Sequence, residues 1–94
     1  ITDEEILSAV YYHTTGHPDM QLLEKIVFLA DYIEPSRDFP GVDNLRRLSE
    51  ISLDKAVLAA YASTISHLLD TNTFIYPLTM EGRNDLLKKM EEGQ

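Results

Sequence analysis

Leu22-Leu23-Glu24-Lys25-Ile26-Val27-Phe28-Leu29-Ala30-Asp31-Tyr32-Ile33-Glu34 is the stretch whose periodicity decides the fold. At about 100° per residue, Leu22, Leu23, Ile26, Val27, Leu29, Ala30 and Ile33 fill one arc of about 160°, the apolar stripe of a helix laid against a core. Asp31 stands beside the edge of that arc, about 40° past Val27, and its structural reading is a rim carboxylate paired with Lys or Arg. Glu34 falls inside the arc, between Leu23 and Val27, where an unpaired carboxylate is costly to desolvate. An ion pair with Arg37, Arg46 or Arg47 is expected there.

Outward from this helix the chain reads as all-α, with no convincing strand. Thr2 is placed to cap a helix from Asp3 to Tyr12, with Glu5 completing a capping box and Asp3, Glu4 and Glu5 at the positive end of the dipole. Gly16 and Pro18 stop it. Asp19 is the expected cap of the second helix, which Pro35 ends after Glu34. Ser36 to Val42, with Pro40-Gly41, reads as loop, and Asp43 opens a shorter helix. Ser52 caps a long helix from Leu53 to about Leu69, which Asp70-Thr71-Asn72 ends. Pro77 interrupts before a final helix from about Thr79 to Glu91.

Ninety-four residues make one domain at most. Eight basic and sixteen acidic side chains give a formal charge of −8, which repels nucleic-acid backbones and anionic membranes. A polyanionic substrate would need a metal ion or local arginines. The chain has no cysteine, so neither a disulfide framework nor a thiolate metal site is available, and cytoplasm is the default compartment. No apolar stretch reaches the roughly eighteen residues of a membrane span. The first residue is Ile1 rather than Met, which leads us to expect part of a larger protein.

The chemistry-bearing residues are few. His13 sits at the C-terminal end of the first helix, where the dipole favours an imidazolium, and Thr14-Thr15-Gly16 add two hydroxyls and a permissive backbone of the kind a phosphate site uses. Asp31 follows eighteen positions after His13, and Arg37 six positions later adds a guanidinium fork. His17, in a loop before Pro18, reads as solvated, and His67 as packing or surface. No paired-histidine motif, nucleophile elbow or glycine-rich phosphate loop is present. Phe74-Ile75-Tyr76-Pro77-Leu78 reads either as a hydrophobic connector or, if a nucleotide binds, as a base-stacking or lid element.

These residues carry a resemblance. His13-Thr14-Thr15-Gly16, the run Leu23 to Pro35, Arg37, Phe39-Pro40-Gly41-Val42 and Leu45-Arg46 resemble the YqeK family. These are bacterial HD-superfamily phosphohydrolases that split diadenosine tetraphosphate symmetrically into two ADP. The likeness extends through Leu53-Asp54 to Ile75-Tyr76-Pro77 and Arg83-Asn84. The superfamily's His-Asp doublet lies, with a further His, in its N-terminal half, and this chain has no His-Asp pair. It is therefore similar to the C-terminal half of such an enzyme, with the N-terminal half missing.

The resemblance implies that Asp31 binds a divalent transition metal, iron first. It implies that His13 and Thr14 contact the substrate phosphates, with His13 ligating a second metal if the site is dinuclear. Arg37 is implied to bind phosphate, and Phe74, Ile75, Tyr76, Pro77, Leu78 and Thr79 to line the nucleoside pocket. The implied activity is metal-assisted hydrolysis of a nucleotide polyphosphate. The rival readings are an HD phosphohydrolase of another nucleotide and a non-catalytic helical interaction module. Without its other half the chain is expected to be inactive and to expose an apolar patch through which it could form a homodimer.

Overall fold

A computed structural model describes residues 1–93 and contains five helices: α1 (Asp3–Tyr11), α2 (Leu22–Ile33), α3 (Val42–Ile51), α4 (Leu53–Asp70) and α5 (Pro77–Glu92). Among the described residues there is no strand, and no helix is long and apolar enough to cross a membrane. The caps follow the chemistry of the sequence at most ends. The Glu5 backbone N–H donates to Thr2 Oγ1 at 3.2 Å while the Thr2 N–H donates to Glu5 Oε1 at 3.1 Å, closing the expected capping box. Ser52 ends α3 and caps α4, its Oγ accepting from the Lys55 N–H at 3.3 Å. Ser52→Ala is therefore expected to cost about 1 kcal/mol, measured by urea denaturation. Pro77 proves to be the first residue of α5, where its missing N–H costs nothing, so that helix starts two residues before Thr79.

Two expectations about α2 are corrected. Asp19 does not cap it. Its backbone is left-handed (φ +62°) and its N–H donates to Asp85 Oδ2 on α5 at 2.8 Å. The cap falls instead on Gln21, whose N–H donates to Glu24 Oε1 at 3.0 Å. The buried face is also rotated from the expected arc. Glu24, Phe28 and Leu29 are buried, whereas Leu22 is 66% and Ile26 46% exposed. Glu34 lies just outside the helix, because the residue before a proline is driven to extended backbone (ψ 151°), and its side chain is half exposed rather than desolvated.

The core forms around α4, against which α2, α3 and α5 pack. Tyr61, Phe28 and Val57 are its largest fully buried side chains. The Tyr61 and Phe28 rings lie 4.7 Å apart, and the Tyr61 hydroxyl meets Met20 Sδ at 3.9 Å. A Cβ at Gly16 (φ +68°) or at Gly82 would collide with that hydroxyl, so both glycines are required by close approach. Burial pushes the Tyr61 phenol up to about 12, which keeps it neutral. Helix α1 packs on α2 and on no other helix among the described residues. Ile6, Leu7, Val10 and Tyr11 of α1 are all exposed, as are Leu22 and Ile26 of α2.

Candidate functional site

Pro35 turns the chain sharply at the end of α2, and the turn returns Arg37 to Asp31. Arg37 Nη2 donates to Asp31 Oδ2 at 3.2 Å, and its Nε lies 3.8 Å from Glu34 Oε1. Glu34 also accepts from the Ser36 hydroxyl and from the Ser36 N–H, and these bonds hold its carboxyl below the usual range. Arg46 of α3 fixes the turn from outside. Its guanidinium donates to the carbonyls of Ile33 at 3.2 Å, Glu34 at 3.1 Å and Arg37 at 2.9 Å, the last acceptors of α2 and the turn beyond it. Of the three partners expected for Glu34 (Arg37, Arg46 or Arg47), Arg37 takes the place, and Arg46 pairs instead with Asp43 at 3.3 Å. Its main work is on carbonyls, which makes it a positioning residue for Arg37.

Asp31 and Arg37 stand on a cleft of about 800 Å³ between α2, the Phe39–Gly41 turn, α3 and α4. Beside them the Tyr32 hydroxyl bonds Thr64 Oγ1, which donates onward to the Ala60 carbonyl at 3.0 Å, so α2 is tied to α4. Burial, with the nearby Asp31 charge, raises the Tyr32 phenol. His67, in the last turn of α4, lines the same cleft with Asn44, Ser63 and Ser66. His67 is exposed, in keeping with its reading as packing or surface, on the helix face that it shares with Ser63, Ser66 and Asp70.

The other expected site residues lie apart from this cleft. His13 Nδ1 bonds the Val10 carbonyl. A carbonyl only accepts, so Nδ1 carries the proton and a neutral ring keeps its lone pair on Nε2. Thr14 is exposed, and Thr15 donates to the Gly16 carbonyl at 3.0 Å. In the connector before α5, Phe74 and Tyr76 are exposed with rings edge-on at 5.1 Å, Ile75 and Leu78 are half-buried, and Thr79 is buried. Among the described residues no three His, Asp or Glu side chains converge as a metal-ligand group.

His17 is not solvated as expected. Its Nδ1 donates to the Pro18 carbonyl at 2.6 Å, its Nε2 bonds the buried Glu24 carboxylate, and its ring lies 4.2 Å from that of Tyr12. Glu24 also accepts from the Ser8 hydroxyl and the Gln21 N–H, each at 3.0 Å. Burial raises its carboxyl, but the bonds from Gln21, His17 and Ser8 outweigh burial and hold it below the usual range. A second cleft of about 520 Å³ opens nearby, and its charges pair with one another. Lys25 meets Asp54 at 2.8 Å, and Lys89 meets Asp19 at 2.6 Å and Asp85 at 3.0 Å.

No family model matches the chain. It is 51% identical over 87 residues to a symmetrical bis(5′-nucleosyl)-tetraphosphatase of Halalkalibacterium halodurans, an alignment covering 93% of this chain and 46% of that protein. The proteins of the same description from Bacillus subtilis and Staphylococcus aureus are 47% and 42% identical, over 84% and 89% of this chain and 42% and 44% of their own lengths. A crystal structure from Clostridium acetobutylicum, described as a predicted HD superfamily hydrolase involved in NAD metabolism, matches with a TM-score of 0.89 at 47% identity. It covers 95% of this chain and 47% of the other. The chain therefore spans a little under half the length of the proteins it matches, and its all-α fold is that of the corresponding part of an HD superfamily hydrolase.

Proposed function

We propose that this chain is the C-terminal half of an HD-domain symmetrical bis(5′-nucleosyl)-tetraphosphatase, which hydrolyses diadenosine tetraphosphate to two ADP in the cytoplasm of a bacterium. The observation that carries the proposal is 51% identity over 93% of the chain to a protein of that description. The exposed apolar faces of α1 and α2 support it, because a patch of this kind is the seat of a further packed element. On this reading the other half of the domain covers them.

Asp31 offers a carboxylate donor that fits a first-row divalent ion such as iron, and His13 offers an imidazole to a second ion if the site is dinuclear. Asp31 is bonded to Arg37 through Oδ2, and the His13 lone pair falls on Nε2. Among the described residues no three such donors converge, and on this reading the remaining ligands come from the other half. Bound there, the ion supplies Lewis-acid activation of a phosphoryl oxygen and of the attacking water. The water adds to a central phosphorus, the bridging P–O bond breaks, and one ADP leaves as the other retains the added oxygen. Arg37 sets its fork against the phosphate oxygens and offsets the charge that builds on them. Thr14 and His13 hold the chain of phosphates, and Phe74 to Thr79 line one nucleoside pocket. On this reading a −8 chain holds a polyanion where a metal ion and the Arg37 guanidinium meet it, because net charge does not report local charge.

Arg37→Ala in the full-length protein is expected to lower kcat/KM by about 2 to 3 kcal/mol, roughly 30- to 150-fold. Arg37→Lys should recover only part of this, since a point charge does not replace the fork. Steady-state kinetics on both variants checks it, and unchanged turnover would remove Arg37 from the site. A second reading, hydrolysis of another nucleotide, draws on the description of the Clostridium acetobutylicum protein as involved in NAD metabolism. Initial rates on diadenosine tetraphosphate, NAD and the nucleoside di- and triphosphates separate the two.

A further inference from the structure

The loop between α1 and α2 has an anchored half and a crest. From Gly16 onward it is held by three helices. Tyr61 of α4 sets its hydroxyl against Gly16 and meets Met20 Sδ at 3.9 Å, and the backbone N–H of His17 faces the same oxygen, working against the rise that burial gives the phenol. Glu24 of α2 bonds the His17 ring, and Asp85 of α5 accepts from the Asp19 N–H at 2.8 Å. The crest makes its bonds locally, His13 Nδ1 to the Val10 carbonyl of α1 and Thr15 to the Gly16 carbonyl, while Thr14 is exposed. The Tyr61 hydroxyl is the unexpected member of this set. A phenylalanine would pack its ring against Phe28 equally well, and a hydroxyl in a core is costly unless partnered. Yet Gly16 on the loop and Gly82 on α5 are both kept free of a Cβ by that one oxygen.

We infer that Tyr61 is a positioning residue for substrate binding: its hydroxyl fixes the seat of Gly16 and thereby sets where Thr14, two residues earlier, meets the substrate phosphates. His13 is tied to α1 through Val10, which leaves Thr14 as the residue that this anchor places. Tyr61 is fully buried and acts through the loop without touching substrate. A contact misplaced by about 1 Å can cost up to about a hundredfold, so a core hydroxyl can govern binding at the surface above it. The inference rests on the tetraphosphatase reading and adds to it a residue of α4 that the reaction itself does not call for.

Steady-state kinetics of the metal-loaded full-length protein on diadenosine tetraphosphate tests this. Tyr61→Phe keeps the ring and removes only the hydroxyl, and it should raise KM about tenfold with kcat within about twofold. Gly82→Ala drives a Cβ at the same hydroxyl from α5 and should raise KM alike, with no further rise when Tyr61→Phe is added to it. Thr14→Ala should also raise KM about tenfold, and its combination with Tyr61→Phe should stay near tenfold rather than roughly a hundredfold, because the hydroxyl acts through the threonine. Val57→Ala, which truncates a buried neighbour on α4, lowers stability and should leave KM unchanged. An unchanged KM in both Tyr61→Phe and Gly82→Ala, a multiplied effect in the combination with Thr14→Ala, or an equal rise in Val57→Ala overturns the inference. No hydrolysis by the unaltered protein sinks the tetraphosphatase reading and this inference with it, so the two failures are distinct.

Discussion

Replacing Asp31 by alanine in the full-length protein should lower kcat on diadenosine tetraphosphate roughly a thousandfold or more, about 4 kcal/mol of transition-state stabilisation. Two losses combine. The proposed site loses its carboxylate ligand, and Arg37 loses the 3.2 Å bond that aims it at the cleft. Stability should barely change, because both side chains are nearly half exposed and exposed ion pairs contribute at most about 1 kcal/mol. Asp31→Asn separates the two effects, since an amide can still accept from Arg37 but is a poor metal ligand. Its turnover should fall nearly as far as that of Asp31→Ala, and elemental analysis should show bound metal reduced in both. Full metal content with turnover within about threefold of the unaltered protein would exclude Asp31 as a ligand.

The largest effect on stability is expected at Glu24, which no functional argument singled out. Glu24→Ala leaves the His17 ring, the Ser8 hydroxyl and the Gln21 N–H without their shared buried acceptor, and should cost about 3 kcal/mol. The folded-state carboxyl lies below its ordinary value of 4.5, so its contribution is fully present above about pH 4.5 and is lost as pH falls through the folded value. Urea denaturation from pH 7 down to pH 3 should show that acid-side slope in the unaltered protein and a shallower one in Glu24→Gln. An alanine variant within about 0.5 kcal/mol of the unaltered protein would show that the buried carboxylate does not hold the His13–Gln21 loop.

What the sequence disclosed was mostly local. The Thr2–Glu5 box and the Ser52 cap each depend on residues within one turn, and both form as read. Asp19 looked like a cap for the same local reason, but its N–H is claimed by Asp85, 66 residues away, which no window of neighbours reveals. The wheel of α2 assumed that apolar residues face inward. The burial of Glu24 depends on a histidine from the preceding loop, so the stripe rotates and leaves Leu22 and Ile26 outside. At the site, Asp31 is a rim carboxylate paired with a basic side chain, as read, but that the partner is Arg37 depends on the turn at Pro35. The gathering of His67, Asn44 and the Phe39 turn is tertiary and needed the packing of α3 on α4. The metal ligands rested on the family resemblance, because one carboxylate and one imidazole do not make a site.

The most direct measurement is product analysis of diadenosine tetraphosphate hydrolysis by the metal-loaded full-length protein in ¹⁸O-labelled water. ADP as the sole nucleotide product, labelled in half of its molecules, is the predicted result. ATP and AMP in equal amounts, or no hydrolysis by a folded and metal-replete protein, would contradict the account.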